Sequence, residues 1–353
     1  MKRKIAGAGV GFLYFYVHFV TELVCFFVLS RYYGTNTDIW AFYLFFDMLA
    51  FVPQGAIGYL SDRFPKIPFG VVGFVLLAAS IPIQRTVSLP YVSLTVLCIG
   101  NAFTHVDGAE ATLRVSGGSL TPSAVFVSGG AFGILTGHLL ARESLPWWVF
   151  VVLAGTAIPF VILGKMYRTD ADRASPVPCA GFNYAKKTVA PALAILAMVF
   201  IVATRGYMAY GIPMSWKNSV TETVLILAVM GVGKALGGVL SDLFGARRVA
   251  VVSAAAALPF LLFGDRMIAV SLIGVMLFSM TLAITLATLV SVLKTRPGLA
   301  FGLTTIGLFI GTAPVFFFRF TSFFANCVMI TVLTAVCILL TLAVMRKDGG
   351  KNE

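Results

Sequence analysis

A chain of 353 residues with 59% hydrophobic and only 11% charged residues is far more apolar than a water-soluble domain, in which roughly a quarter of residues carry charge. Its net charge of +12 would suit a nucleic acid, but the basic residues are spread over loops between apolar runs and form no basic-aromatic cluster on one polar face. Five cysteines without a CxxC pair give no disulfide or metal framework, and the first apolar run is too long for a signal-peptide core.

A spanning helix takes about 20 apolar residues. Twelve are predicted, near 5–30, 38–60, 69–84, 90–113, 119–140, 146–166, 188–212, 219–240, 247–264, 267–293, 298–318 and 325–345. The polar segment 167–187, with Pro176 and Pro178, is the one long linker, so the chain divides into 1–166, the linker, and 188–353. With the N-terminus inside, inner segments hold 18 lysines and arginines and outer loops hold five. That imbalance places both termini and the linker in the cytoplasm of an integral multi-pass protein, in a plasma (inner) membrane.

Ionisable residues inside a span are costly and mark a site. The first span carries His18 and Glu22, four apart on one face, with Tyr14 a turn earlier. A carboxylate and an imidazole so placed form a pair suited to carrying a proton. Asp47 sits in the middle of the second span. The fourth reads GNAFTHVDGAEATLR. Asn101, His105 and Gly108 share one face; Asp107, Glu110 and Arg114 share another. Asp107 is a further candidate carrier, and Glu110 with Arg114 is expected to meet the Asp62 loop. The second half supplies bases, Arg205 in the seventh span and Lys234 in the eighth, beside Gly231, Gly233 and Gly237. Both are candidates to meet an anionic group.

Two repeats tie the halves together. GYLSDRFPKIP begins at Gly58 and GVLSDLFGARR at Gly238, 180 residues later. Gly58 and Gly238 admit a second helix closely. Asp62 and Asp242 are poorly placed at the C-terminal ends of their own helices and better placed against a neighbour's N-terminus or an arginine. VFVSGGAFGILTGHLLA in the fifth span and GLTTIGLFIGTAPVFF in the eleventh both carry glycines three to five apart, a groove for another backbone.

The loops resemble the cytoplasmic loop signature of the major facilitator superfamily. The first copy keeps Gly58, Asp62 and Arg63, with Pro65 where glycine is usual; the second keeps Gly238, Asp242, Gly245 and Arg247, with Leu243 in place of arginine. The resemblance implies an all-α membrane protein of twelve transmembrane helices in two pseudo-symmetric six-helix bundles. These rock about a central site, with the loops latching the inner side. The fifth span, with His138 where the pattern has proline, and the Asn101–His105 spacing locally resemble fosmidomycin-resistance-type exporters. Asn101 stands where the superfamily commonly has arginine.

The expectation is a non-enzymatic secondary transporter of a small organic solute, coupled to protons and acting as a monomer without cofactor or metal. Nothing resembles a nucleotide-binding loop. Export of an amphipathic compound is preferred to uptake of an anionic metabolite. A non-transporting sensor or assembly factor would need a partner surface that the short loops do not offer. A metal hydrolase built on His105 and Asp107 fails because residues two apart point to different helix faces.

Overall fold

Backbone polar groups away from water must be satisfied within the protein, and a helix does so inside one segment. The computed structural model describes residues 2–87, 89–166 and 178–348. The first half contains α1 (Lys2–Val28), α2 (Ile39–Phe51), α3 (Pro53–Arg63), α4 (Phe69–Thr86), α5 (Pro90–Val115), α6 (Thr121–Leu140) and α7 (Trp148–Met166). The second contains α8 (Pro191–Gly211), α9 (Val220–Phe244), α10 (Ala246–Phe263), α11 (Ile268–Ser279), α12 (Leu282–Val292), α13 (Pro297–Thr312) and α14 (Phe323–Val344). Two pairs act as single rods. Pro53 interrupts α2–α3, since proline cannot donate to the helix, and Met280–Thr281 interrupts α11–α12.

Among the described residues this makes twelve rods in two six-helix bundles. Each expected span has its rod, with ends shifted by at most four residues once the 3-10 turn Ala313–Phe316 is counted with α13. A π turn, Leu29–Tyr33, extends α1 beyond the expected span. Eleven rods are long and apolar enough to cross a membrane. The twelfth, α5, is too polar to count, and it is sheltered: from Gly100 to Leu113 every residue except Phe103 is buried.

Packing between helices in lipid relies on close backbone approach, because lipid tails are as apolar as leucine. In the first bundle α1 lies on α6. A Cβ at Gly129, Gly133 or Gly137 would run into the carbonyl oxygens of Phe15, Phe19 and Leu23. In the second bundle α8 lies on α13, where Gly307 and Gly311 meet the carbonyls of Val199 and Ala203. The expected grooves are thus occupied by the equivalent helix in each half.

Between the bundles, α3 packs on α13 and α6 on α9, both at the side that carries the termini. There the end of the linker bridges the halves. Tyr184 donates its hydroxyl to the Gly118 carbonyl (2.5 Å), and its N–H to Ser291 Oγ (2.8 Å). The preceding linker residues 167–177 lie outside the described residues. At the opposite side the bundles part around a cleft of about 350 Å³, whose walls include Tyr43, His138 and Arg142 from the first and Val220 and Thr223 from the second.

Candidate functional site

α1 and α5 bring three ionisable side chains together. Glu22 Oε1 lies 3.0 Å from His105 Nε2 and 3.8 Å from His18 Nε2. All three residues are buried. The other ring nitrogens are committed to backbone: His18 Nδ1 donates to the Phe126 carbonyl (2.8 Å) and His105 Nδ1 to the Asn101 carbonyl (2.9 Å). A carbonyl only accepts, so both Nδ1 atoms carry hydrogen. In a neutral ring Nε2 is then a lone pair facing a carboxylate oxygen. The 3.0 Å contact therefore needs a proton between them, held as imidazolium–carboxylate or imidazole–carboxylic acid. Asn101 Nδ2 adds a donor to Glu22 Oε1 at 3.3 Å.

Three such ligand atoms within 4.8 Å of one another also fit a divalent ion in principle. But two ligands on zinc, each bonded at about 2.0–2.1 Å in a tetrahedron, stand about 3.3 Å apart. The 3.0 Å contact is tighter, so it fits a shared proton better than a tetrahedral zinc.

Gly130 makes the space for this cluster, because a Cβ there would collide with His18 Nε2 and Cε1. The glycine-rich pattern was visible in the sequence, but its contact with His18 was not. Phe126 and Phe301 flank the imidazoles, with Phe301 contributed by the second bundle.

Asp47 and Lys234 are half-buried and have no hydrogen-bonding or ion-pair partner among the described residues. Lys234 shares a helix face with Gly231 and Gly238, which meet Phe132 and Ala124 of α6. The ammonium is thus carried on the face turned toward the first bundle.

Asp107 goes elsewhere. It accepts from the Tyr14 hydroxyl (2.9 Å) and pairs with Lys165 of α7 (3.2 Å), holding α1, α5 and α7 together. Lys165 and Tyr14 are partners that spacing alone did not reveal. Arg205 also stands apart, beside a cavity lined solely by the second bundle.

At the terminal side, the repeated loops make equivalent contacts across the bundles. Buried Asp62 accepts from the backbone N–H groups of Gly298 (3.0 Å) and Leu299 (2.8 Å), the first turn of α13. Arg114 Nη2 lies 3.5 Å from Asp62 Oδ1, while Arg114 Nε donates to Glu110 Oε1 at 2.7 Å and Ser61 donates to Glu110. Exposed Asp242 accepts from Leu120 N–H (2.8 Å), Thr121 N–H (2.9 Å) and the Thr121 hydroxyl (2.6 Å), at the start of α6. Each carboxylate caps the positive end of a helix in the other bundle. A Cβ at Gly58 would overlap the Gly298 carbonyl, and one at Gly238 would overlap Ala124. Arg63 is exposed. Arg247 is half-buried, and Asp348 accepts its N–H (3.2 Å) together with that of Arg248 (2.8 Å), capping α10. That acid had no signal in the sequence.

The cleft is basic. Arg142 lines it, and the charge of Lys217 acts on His138 in its wall. Burial, with Arg319 nearby, holds the Lys217 ammonium below the ordinary lysine range.

No protein-family model and no curated protein matches the chain. Solved structures do. One is a major facilitator superfamily transporter, FucP, in the outward conformation, with 12% identity, TM-score 0.64, and coverage of 95% of this chain and 98% of that one. Another is the human organic anion transporter MFSD10 (TETRAN), with 16% identity, TM-score 0.63, and coverage of 97% and 98%. A variant of the E. coli fucose:proton symporter FucP aligns at 12% identity and TM-score 0.64, over 95% and 98%. At these identities the likeness speaks to architecture: the chain has the major facilitator fold.

Proposed function

We propose that this protein is a proton-coupled secondary transporter that takes up a small organic anion by alternating access, as a monomer in the plasma (inner) membrane with both termini cytoplasmic. The observation that carries this reading is the proton-requiring contact of Glu22 with His105 and His18, flanked by Phe301 of the second bundle, while Lys234 stands on the face of α9 turned toward the first bundle. Solute and proton then act on one junction. A carboxylate or similar group pairs with Lys234, and a proton on the trio removes the competing charge of Glu22. Binding shifts the equilibrium between states only insofar as it favours one of them, and a site shared by two bundles meets that condition.

Asp62 and Asp242 serve as inner latches in this mechanism, with Gly58 and Gly238 allowing the close approach. Arg63 and Arg247 lie at the headgroup level beside them. The basic cleft at the other side is the entry for an anion. Two neighbours of the same fold are named as a proton symporter and an organic anion transporter, the same pair of chemistries.

A second reading, export of an amphipathic solute, is favoured by the aromatic rings of Phe126 and Phe301 beside the trio. Of the glycines behind the resemblance to exporters, Gly129, Gly133 and Gly137 meet the α1 backbone, which packing accounts for, and Gly130 makes room for His18. In proteoliposomes holding a pH dye, uptake predicts that an inward proton gradient accumulates a radiolabelled organic anion, with protons entering alongside it. Lys234→Gln removes the accumulation. Solute leaving against its gradient as protons enter supports export, and solute flux without proton movement overturns the coupling.

A further inference from the structure

Arg205 is buried in the second bundle, and its Nε and Nη1 atoms have no hydrogen-bond partner. No carboxylate lies within ion-pair distance among the described residues. The guanidinium is always charged in proteins, and a bare charge in a membrane interior is costly. The ring of Phe278, 5.8 Å from the guanidinium carbon, offsets only part of that cost.

The side chain borders a cavity of about 30 Å³ between α8, α10, α11–α12 and α14. Thr334 also lines it, and its hydroxyl is the other buried group there without a partner. The remaining threonines of this wall are committed: Thr281, Thr285 and Thr341 donate to carbonyls of their own helices. No carboxylate is in the lining, which also includes the Cys337 thiol, a weak donor. The free polar groups are therefore a fixed cation and a hydroxyl able to donate. The interrupted rod passes along this wall, with Thr281 just before α12 and Ile284 and Thr285 within it.

Water in such a cavity satisfies hydrogen bonds and leaves the charge uncompensated. The volume is far below that of an organic solute site, which occupies some hundreds of Å³. We propose that the second bundle holds a resident monovalent inorganic anion of halide size, bound by Arg205 and Thr334, separate from the transported solute. The anion neutralises the guanidinium and ties α8 to α14. This assignment is independent of the transport reading.

The test uses full-length protein exchanged into sodium gluconate and titrated with sodium chloride or bromide at constant ionic strength. A saturable rise in melting temperature is expected, as for any ligand that binds only the folded state. Crystals soaked in bromide are expected to give one anomalous peak in the cavity beside Arg205 and Thr334. Arg205→Met removes both the saturable rise and the peak. Thr334→Val, which keeps shape and helix, raises the half-saturating halide concentration about tenfold, the effect of one hydrogen bond to a charged group. Identical melting in gluconate and bromide with no peak means water alone and overturns the proposal. Saturable halide stabilisation that persists in Arg205→Met, or that Thr334→Val leaves unaltered, overturns the assigned site.

Discussion

At the scale of single residues, what each side chain can do depends on which of its atoms already have partners. Both imidazoles spend Nδ1 on a carbonyl, so Nε2 and Glu22 share whatever proton remains. Glu22→Gln keeps an amide for these neighbours but cannot release a proton. It should abolish proton-driven accumulation while exchange of solute for solute across the membrane continues, measured as counterflow in proteoliposomes. Loss of both would move Glu22 from coupling to general architecture. Gly130→Ala tests the geometry from the other side. Its methyl group would displace the His18 ring at a cost of about 1–3 kcal/mol, the usual range for overpacking. Lower thermal stability together with an altered pH profile of transport is expected, and an unaltered profile would detach His18 from coupling.

At the scale of elements, the inner contacts differ in burial although they repeat in sequence. Asp62 is buried and has Arg114 beside it, whereas Asp242 is exposed. A carboxylate at a helix N-terminus contributes up to about 2 kcal/mol when sheltered and less where water and salt screen it. Asp62→Asn should therefore open the inner side more than Asp242→Asn, read as faster labelling of a cysteine placed beneath α13. Gly58→Ala should open it as well, through collision with the Gly298 carbonyl. Equal labelling in all three variants would remove these loops from gating. Much of this was legible in advance. Hydropathy located all twelve rods, the repeat located both loops, and dipole reasoning gave Asp62 and Asp242 their type of partner. The spacing of His18 and Glu22 gave one face of α1. The identity of long-range partners was not legible: neither His105 against Glu22, nor Lys165 against Asp107, nor Asp348 over α10 follows from local spacing. Those pairs depend on how rods distant in sequence pack, as does the position of Arg205, a candidate to meet an anionic group, beside a cavity of its own bundle.

At the scale of the whole molecule, the inner side is joined by two carboxylate–helix contacts while a basic cleft stands open opposite. In the proposed mechanism, movement between this arrangement and its inverse is the transport event, and the proton on the trio couples it to solute. The most direct test is a distance measurement between spin labels at the inner ends of α3 and α13, and between a second pair across the cleft, over a pH series with and without an organic anion that stabilises the protein. The account predicts that in the wild-type protein acid and anion together lengthen the inner distance and shorten the outer one. In Glu22→Gln the anion alone should produce that shift at every pH. Distances that respond to pH in Glu22→Gln just as in the wild-type protein would contradict it.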